Sequence, residues 1–322
     1  MPENSLLRIL PEVAAALASG APVVALESSV LAQGLPIPRN REAAERMTTA
    51  VTSRGAIAAI TAVVHGTPTL GLTGEELERF LARDGVRKVS ARDLGAAVVQ
   101  RADGATTVAA TLALASLGGV RVFATGGIGG VHREPMFDES ADLAELARSS
   151  MIVVCAGAKS ILDLPATMER LETLGVPVVG YRTLDVPGFF TAETGLRLSV
   201  RADAADEIAR MFIAHRALGR QSALLVMQPL PAELALPRER VDRAVASAVA
   251  EARANGVRGA AMTPALLAAV ERETNGRSLV TNLELLERNA ALAAEIAVAL
   301  EQMHEEDRPA GLNSASSGWY NS

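Results

Sequence analysis

Three segments of the sequence place reactive or glycine-rich residues directly after short apolar runs. Glu27 follows PVVAL, residues 125–132 (TGGIGGVH) follow VRVFA, and Lys159 follows MIVVC after three small residues. In open α/β sheets, ligands bind at the carboxyl ends of strands, where loops lead into helix N-termini. These three loops therefore form the candidate ligand-binding edge.

Lys159 has surroundings that can turn a lysine into a nucleophile. It stands between VVCAGA and SIL, where burial would disfavour the ammonium form, as would the positive end of a short helix. A neutral amine can attack a carbonyl carbon. A surface lysine whose stem covers apolar atoms explains the same residues equally well, so the local sequence leaves both interpretations open.

Three carboxylates accompany these loops. Glu27 could act as a general acid or could cap the turn that follows it, and the local sequence favours the cap. Asp138 and Asp142 lie four residues apart in FDESAD. They could bind a hard cation through one carboxylate and water molecules, or they could cap the helix predicted in ADLAELA.

Two segments could bind an anion. Thr106 and Thr107 begin an apolar helix after Gly104, and its free N–H groups with the two hydroxyls would suit a phosphate. Ordinary helix capping is an equally good interpretation. The glycine-rich loop 125–132 could let backbone N–H groups approach an anion, or it could be a tight turn without a ligand.

Standard nucleotide and metal motifs do not fit the sequence. His132 stands where the third glycine of a dinucleotide fingerprint is required, so residues 125–132 fail as that motif. CAGAKS lacks a P-loop's glycines, since Ala158 precedes the lysine and Val153 stands at the first glycine position. The histidines at 65, 215 and 304 show no metal-ligand spacing.

Composition limits the partners and the compartment. The chain of 322 residues has 31 basic and 37 acidic side chains, a net charge of -6, which argues against a nucleic-acid polymer or an anionic membrane as partner. Cys155 is the only cysteine, so no intrachain disulfide or multi-cysteine zinc site can form and we expect a reducing, cytoplasmic compartment. No apolar run approaches the roughly 20 residues that span a bilayer.

The elements that would position these residues alternate between strand-like and helix-like patterns. Short β-branched runs interleaved with helical periodicity predict an α/β fold, and runs that are apolar on both faces indicate a helix-covered sheet. The predicted strands are 22–26, 56–64, 120–124, 151–155, 176–180 and 222–227.

Helix start signals and amphipathic patterns complete the secondary structure. The predicted N-terminal caps are Asn40, Thr73, Ser90 and Ser140. The C-terminal third is mostly helical, with amphipathic segments at 238–254, 264–273 and 282–303, the last long enough to clasp the domain or a neighbour. No linker interrupts residues 1–307, which we expect to form one domain, and the polar residues 308–322 are expected to be disordered.

Seven segments in order resemble one family, the pseudouridine-5′-phosphate glycosidases, which include the indigoidine-synthesis A-type proteins. The resemblance covers residues 6–303. The matching segments are VVALESSVLAQGLPIPRN, VRKVSARDL, GATTVAATLALA, VFATGGIGGVHR, FDESADLAELA, VVCAGAKSILDLPATMERLETLGVPVVGY and LVTNLELLERNAALAAEIA. Each segment alone is modest evidence, and their common order makes the resemblance specific.

The resemblance implies roles for individual residues. Lys159 matches the Schiff-base nucleophile, Glu27 the proton donor and Asp138 the ligand of a divalent metal, usually manganese. The positions that match substrate-binding residues are Lys88, Val108, Ser140, Ala141 and Asp142, and His132 and Asn289 fall in matching segments that are expected to line the site.

The resemblance also implies an activity and an assembly. The implied reaction is reversible cleavage of the carbon–carbon bond of pseudouridine 5′-phosphate to uracil and ribose 5-phosphate, without an organic cofactor. The alternative is a related enzyme acting on another 5-phosphoribosyl C- or N-glycoside. The implied fold is a three-layer α/β/α domain with a parallel or mixed sheet, assembled as a homotrimer.

Two departures from the family pattern bear on substrate positioning. Gln33 stands where relatives often carry histidine, and the loop 132–137 is shorter than in some members. Neither departure touches the residues that match the nucleophile, the proton donor or the metal ligand.

Overall fold

The computed structural model describes residues 6–133, 138–257 and 262–306. Strands and helices alternate along the first two thirds of the described chain, and helices fill the rest. The strands are β1 (Arg8–Ile9), β2 (Val23–Leu26), β3 (Ile57–Val64), β4 (Thr67–Leu70), β5 (Arg87–Val89), β6 (Gly104–Thr106), β7 (Val122–Ala124), β8 (Ile152–Cys155), β9 (Val178–Tyr181), β10 (Arg201–Ala202) and β11 (Leu224–Met227).

The helices include the three that were predicted in the C-terminal third. They are α1 (Pro11–Ser19), α2 (Arg39–Thr52), α3 (Gly74–Ala82), α4 (Leu94–Val99), α5 (Val108–Leu117), α6 (Ala141–Leu146), α7 (Leu164–Thr173), α8 (Ala205–Ala217), α9 (Arg238–Ala254), α10 (Met262–Glu273) and α11 (Arg277–Glu306). Within the described residues, we find no helix that is both long and apolar enough to cross a membrane.

The strands form one mixed sheet around a parallel centre. Its order is β1-β4-β3-β2-β7-β8-β11-β9-β10, with β6 beside β3 and β5 beside β6. The central neighbours from β3 to β10 pair in parallel, whereas β4 and β6 run antiparallel to β3. Leu26 pairs with Ala124, which pairs in turn with Val154. The ends of β2, β7 and β8 are therefore level, and the three loops named above leave the same edge of the sheet.

Helices cover both faces of this sheet. The strands β2, β8 and β11 are buried along their whole lengths, which requires cover on each side. Helix α11 packs on β7 and β8 and contacts α2 and α8, while α5 packs on β2 and β3 and contacts α6. The predicted three-layer α/β/α fold class with a helical C-terminal third is confirmed.

Helix α11 clasps its own domain. Its side chains at Ala290, Ala293 and Ile296 are fully buried, and this apolar contact provides most of its attachment. Ion pairs also connect α11 to α2, since Arg46 pairs with Glu284 and Glu287. Because such pairs are partly exposed, each contributes at most about 1 kcal/mol.

The sequence predicted the centre of the sheet better than its margins. All six predicted strands form within two residues of their expected limits, and they are the contiguous run from β3 to β9 in the sheet order. The strands β1, β4, β5, β6 and β10, which lie outside this run, were missed. The domain limit at 307 stays a prediction, and residues 308–322 lie outside the described residues.

Three of the four predicted helix caps are present. The side chains of Thr73 and Ser140 accept backbone N–H groups at the starts of α3 and α6, and Ser90 caps a short 3₁₀ turn. Asn40 was wrong as a cap, because α2 already begins at Arg39 after Pro38. The buried Asn40 amide instead donates to the carbonyls of Leu31 and Leu81, which joins two loops to the helix.

A buried hydroxyl cluster fixes the strand ends beneath the loops. It consists of Ser28, Thr61, Thr106 and Thr111, all fully buried. The Thr61 hydroxyl lies 2.7 Å from that of Thr106 and 2.8 Å from that of Thr111, and the Ser28 hydroxyl accepts the Thr106 N–H at 2.9 Å. Strands β2, β3 and β6 are thus joined to the start of α5 by side chains as well as by the sheet.

The hydroxyl cluster yields a stability prediction. Thr61→Val keeps nearly the same shape but leaves the hydroxyls of Thr106 and Thr111 short of a partner, so it should lower the free energy of unfolding by about 1 to 3 kcal/mol. Urea denaturation measures the change. The control is Thr49→Val at an exposed position of α2, which should stay within about 0.5 kcal/mol. Equal stabilities of the two variants would contradict a stabilising role for the cluster.

Candidate active site

A cleft of about 370 Å³ opens at the carboxyl ends of β2, β7 and β8. It brings together ten of the twelve residues that the sequence indicated. These are Glu27, Lys88, Thr107, Val108, His132, Asp138, Ser140, Ala141, Asp142 and Lys159. The fold therefore assembles residues from segments that are up to 132 positions apart.

A second cavity of about 400 Å³ lies beyond Leu162, which lines both spaces. Its lining includes Arg133 and Arg238 but also Asp163 and Asp242, so its formal charges balance. None of the residues indicated by the sequence lies in it. The first cleft is therefore the candidate active site.

Glu27 directly follows β2 and is held by two hydroxyl groups. The residue is 7% exposed, and its carboxyl group accepts hydrogen bonds from Ser29 Oγ to Oε2 at 2.6 Å and from Thr125 Oγ1 to Oε1. Hydroxyls can also accept a hydrogen bond, so a protonated Glu27 would keep both partners. The carboxyl group contacts side-chain hydroxyls rather than helix N–H groups, which is not the capping arrangement.

Lys159 lies half-buried in the loop between β8 and α7. Its Nζ donates to the carbonyl oxygen of Gly127 at 2.9 Å. The short helix that was expected at this lysine is absent from the described chain around it, since α7 begins at Leu164 and is capped by Asp163. The helix dipole therefore does not act directly on the Lys159 amine.

Lys88 reaches the cleft from β5 and carries an altered basicity. The Lys88 side chain is exposed. The protein atoms around it nevertheless displace water and lower its pKa, and the positive charge of Lys159 lowers that pKa further. Glu27 and Asp142 act in the opposite direction and do not reverse the shift. The two amines are therefore close enough to repel one another.

These two residues are the only lysines in the sequence, and the other basic side chains are arginines. An arginine guanidinium stays charged in proteins, whereas a lysine can lose its proton when its surroundings disfavour the cation. The chain thus confines its ionisable amines, apart from the N-terminus, to the cleft.

His132 ends the glycine-rich loop and lines the cleft together with Asp138. The backbone N–H of His132 donates to the carbonyl of Asp138 at 2.9 Å. Burial lowers the pKa of His132, as do Lys159 and Lys88, against the opposing effect of Asp138. The imidazole is therefore neutral near pH 7.

The Asp138 carboxylate is the candidate metal ligand. No described residue donates a hydrogen bond to it, and the described residues contain no group of three or more histidine, cysteine, aspartate or glutamate side chains that could hold a metal. A divalent cation here would bind through Asp138 and water. A hard cation accepts such an oxygen set, so the residues present fit manganese.

The glycine-rich loop is held by the protein rather than open to an anion. The N–H groups of Ile128, Gly129 and Val131 donate to Gly157, Asp142 and Thr167. A Cβ atom at Gly129 would lie 2.2 Å from Ser140 Oγ, so only glycine allows this approach. These three amides are not available to a phosphate, and close packing accounts for the loop.

Asp142 links the loop to helix α5. Its Oδ2 accepts the Gly129 N–H at 2.7 Å, and its Oδ1 accepts the Ala109 N–H at 3.0 Å in the first turn of α5. Both oxygens therefore already have backbone partners. Asp142 lines the cleft, but its carboxylate is used to join the glycine-rich loop to α5.

Thr106 and Asn289 are not at the cleft surface. Thr106 ends β6, and its hydroxyl is used within the hydroxyl cluster, whereas Thr107 is the N-terminal cap of α5. Asn289 is 1% exposed and donates to the carbonyl oxygens of Thr125 and Gly126 at 2.8 and 3.3 Å. These contacts support the glycine-rich loop from behind.

Sequence reasoning missed Asn282, which does line the cleft. Its side-chain oxygen is buried without a hydrogen-bond partner among the described residues, so it can accept a hydrogen bond from a ligand. The Oε1 of Gln33, also in the lining, has the same property, and its Nε2 donates to Val86. Most of the loop 132–137 lies outside the described residues.

Two curated proteins that are similar to this chain carry the same name. A protein of Gemmatimonas aurantiaca, named pseudouridine-5′-phosphate glycosidase, is 67% identical over 285 residues, which cover 88% of this chain and 93% of the relative. The Escherichia coli K12 protein of the same name is 47% identical over 302 residues, covering 92% and 96%.

Solved structures with the same fold span nearly the whole chain. The prealnumycin C-glycosynthase AlnA in complex with ribulose 5-phosphate matches with a TM-score of 0.87 and 38% identity, covering 94% of this chain and 99% of that chain. An indigoidine synthase A-like protein from Thermotoga maritima matches with a TM-score of 0.85 and 36% identity, covering 92% and 97%.

The family assignment rests on most of the chain. Residues 12–299 match the family model described as Indigoidine synthase A like protein, and this range contains every residue placed in the cleft. With the curated relatives and the solved structures covering about nine tenths of the sequence, this chain belongs to the indigoidine synthase A-like family.

Proposed function

We propose that this protein is a pseudouridine-5′-phosphate glycosidase, which cleaves the bond between C5 of uracil and C1′ of ribose 5-phosphate. The observation that carries the proposal is the joint placement of Glu27 and Lys159 in one cleft. The name shared by relatives at 67% and 47% identity supports the substrate. Incubation with pseudouridine 5′-phosphate and Mn²⁺ tests it, with uracil release as the readout.

The substrate requires a nucleophile other than water. A C-glycoside has no heteroatom at the glycosidic bond, so protonation of a leaving oxygen between two carboxylates cannot cleave it. A lysine amine offers another route, because a C–N adduct can release the aglycone by forming an iminium ion.

The first step opens the sugar ring. The neutral amine of Lys159 attacks C1′, the bond from C1′ to the ring oxygen breaks, and Glu27 gives its proton to that oxygen. The nitrogen adduct then loses a proton to the Glu27 carboxylate, so that Glu27 is again an acid. The hydrogen bond from Lys159 to Gly127 holds the amine beside the site of attack.

The second step breaks the carbon–carbon bond. The proton that Glu27 has regained passes to C5 of uracil, so that the base keeps the electron pair of the bond to C1′ and the remaining C1′–N bond becomes an iminium. Water adds to the iminium, the released proton returns to the Glu27 carboxylate, and ribose 5-phosphate leaves as an aldehyde, which restores the free amine. The sum is pseudouridine 5′-phosphate plus water giving uracil plus ribose 5-phosphate, and each step is reversible.

The phosphate is assigned to the wall formed by Lys88 and the start of α5. Strand β5 sets Lys88 opposite Ala105, and Thr107 donates its N–H to the Val89 carbonyl, so the lysine stands beside the first turn of the helix. No described residue accepts a hydrogen bond from the Val108 N–H, which leaves it for an anion at the positive end of the helix. Ser140 and Ala141 complete this wall.

The uracil is assigned to Asn282 and His132, which both line the cleft. The unpartnered oxygen of Asn282 can accept an imide N–H of the base, and the neutral His132 can donate to or accept from a carbonyl edge. The divalent cation at Asp138 would supply positive charge through its water ligands. No organic cofactor enters this scheme.

A second candidate function is synthesis of a C-glycoside from a pentose phosphate and an acceptor other than uracil. The likeness to a prealnumycin C-glycosynthase favours it, although at 38% identity against 67% for the relative named as a glycosidase. Turnover of pseudouridine 5′-phosphate against other 5-phosphoribosyl glycosides separates the two. The lack of turnover with any of them would point to a phosphate-binding module without catalysis.

The cellular compartment and the oligomeric assembly are proposed as well. A single buried cysteine and the phosphorylated substrate support work in the cytoplasm. Assembly as a homotrimer rests on the family resemblance, and sedimentation analysis would measure it.

Metal dependence follows from the single carboxylate at the cation. Exhaustive chelation should abolish activity, and added Mn²⁺ should restore it, because one protein ligand binds the ion weakly. Asp138→Asn should lose roughly 10²-fold or more, since a metal charge contributes several kcal/mol. Glu139→Gln is the control, as the Glu139 carboxylate pairs with Arg170 at 2.9 Å. Full activity after chelation would reject the metal assignment.

The phosphate assignment predicts a pH dependence that is specific to Lys88. The lowered pKa of Lys88 means that its charge is lost below the ordinary lysine range near 10.4. The kcat/KM for pseudouridine 5′-phosphate should therefore fall on the alkaline side, and Lys88→Arg should remove that fall. Lys88→Gln should cost about 1.5 to 3 kcal/mol, or roughly 10- to 100-fold. Equal turnover of unphosphorylated pseudouridine would count against the assignment.

The covalent step is tested by trapping. Borohydride added during incubation with ribose 5-phosphate should reduce an imine at Lys159, and the peptide that contains it should gain the mass of the reduced sugar phosphate. Because the sequence has only two lysines, the labelled position is unambiguous. Lys159→Ala should show neither label nor cleavage. A label on Lys88 would exchange the two roles, and an unlabelled wild-type protein would refute the mechanism.

A further inference from the structure

Phe189 has a backbone conformation that phenylalanine rarely adopts. Its φ is 66°, in the left-handed region that costs a residue other than glycine about 1 to 3 kcal/mol. The residue is 3% exposed and is the only phenylalanine, tyrosine or tryptophan among the described residues that line the cleft. Such strain persists only where the surrounding structure over-determines it.

The strained segment is bound to the loop that carries Lys159. The Phe189 N–H donates to the Ala156 carbonyl at 3.0 Å. A Cβ atom at Gly157 would lie 2.2 Å from the carbonyl oxygen of Pro187, so residues 187–190 lie directly on that loop. The backbone of Phe189 is thus hydrogen bonded to Ala156, which lies three residues before Lys159 in the chain.

The ring of Phe189 presses on the residue that holds the nucleophile. A Cβ atom at Gly127 would lie 2.5 Å from ring Cδ2 and 2.6 Å from Cε2, so the ring packs against the Gly127 backbone itself. The backbone of Gly127 is outside the left-handed region, so its φ angle does not require glycine. Glycine is required because a Cβ atom would collide with the Phe189 ring and would lie 2.9 Å from the carbonyl oxygen of Gly157. The Gly127 carbonyl accepts the hydrogen bond from Lys159 Nζ.

We infer that Phe189 is a positioning residue that fixes the Gly127 carbonyl and, through it, the direction of the Lys159 amine. The inference rests on the proposed function, in which that amine attacks C1′. A neutral amine has two N–H bonds and one lone pair, so donating one N–H to a fixed acceptor limits the directions in which the lone pair can point. The strained backbone of Phe189 sets the ring where it constrains that acceptor.

The adjacent Phe190 supplies a matched control. It is 2% exposed, and its ring contacts that of Phe189 at 4.6 Å between centroids in an edge-to-face arrangement. It has no left-handed backbone and does not line the cleft. Leucine at either position removes the same atoms from one buried aromatic pair, so the two variants share the packing loss and differ in the contact with Gly127.

The test compares Phe189→Leu with Phe190→Leu. Phe189→Leu should lower kcat for pseudouridine 5′-phosphate by about 10- to 100-fold, as expected for a misplaced reacting group, with KM within about threefold. The rate of borohydride trapping with ribose 5-phosphate should fall by the same factor. Phe190→Leu should keep kcat and the trapping rate within about threefold of the wild type.

Three results from single variants would overturn the inference. The first is equal kcat and equal trapping rates in Phe189→Leu and Phe190→Leu. The second is a rise in KM without a change in kcat for Phe189→Leu, which would make the ring a substrate contact, and the third is a wild-type trapping rate in Gly127→Ala. An unlabelled wild-type protein would instead reject the proposed function.

Gly127→Ala gives a second measurement that does not require Phe189→Leu to fold alone. Its new methyl would displace the ring or the loop, so trapping should slow while KM changes little. Adding Phe189→Leu to Gly127→Ala should slow trapping by less than the product of the two single effects, because both changes act on the position of the same carbonyl. Fully multiplicative effects would contradict the inference.

Discussion

The parallel pairing of β2, β7 and β8 is the constraint on which the site depends. Its register sets Leu26, Ala124 and Val154 side by side, and hydrogen bonds continue the ladder into the loops. Thr125 donates to Val154, Ala156 to Gly126 and Ile128 to Gly157. Loops that extend a sheet in this way cannot move independently. The distance from Glu27 to Thr125 and from Lys159 to Gly127 is therefore set by strand spacing, which is fixed at about 4.8 Å.

Burial and hydrogen bonding limit the chemistry of the groups that surround Lys159 in the proposed reaction. Nearby side chains that could compete with Lys159 are neutral or occupied. Burial raises the pKa of Cys155 to about 12, so its thiol is not a nucleophile near pH 7. His132 is uncharged because its pKa is lowered. Asp142 gives both oxygens to backbone N–H groups.

The sequence was informative where a residue followed an apolar strand of the sheet centre. Glu27 and Lys159 were predictable as site residues because the ends of buried parallel strands meet at one edge. The sequence did not show which residues of a helix reach the cleft. Asn282 and Asn289 are seven residues apart on α11, which is two turns and about 10.5 Å on the same face. The motif pointed to Asn289, whereas tertiary packing leaves Asn282 at the cleft and buries Asn289 behind the loop. Thr106 failed similarly, since a three-residue strand precedes the helix that it was expected to begin.

The charges in the cleft connect substrate binding to proton balance. Glu27 and Asp142 favour the charged form of Lys88, whereas Lys159 disfavours it. Burial and Lys159 still lower the pKa of Lys88, which means that its cation is held weakly in the free cleft. A phosphate dianion beside Lys88 would reverse that effect, because an opposite charge nearby favours the cation. Phosphate binding and the charged form of Lys88 then stabilise each other. Lys159 differs, since its amine donates to the neutral carbonyl of Gly127 and, among the described residues, has no hydrogen bond to a carboxylate. The same pair of residue types can therefore serve two purposes in one cleft, one amine as a cation and the other as a nucleophile.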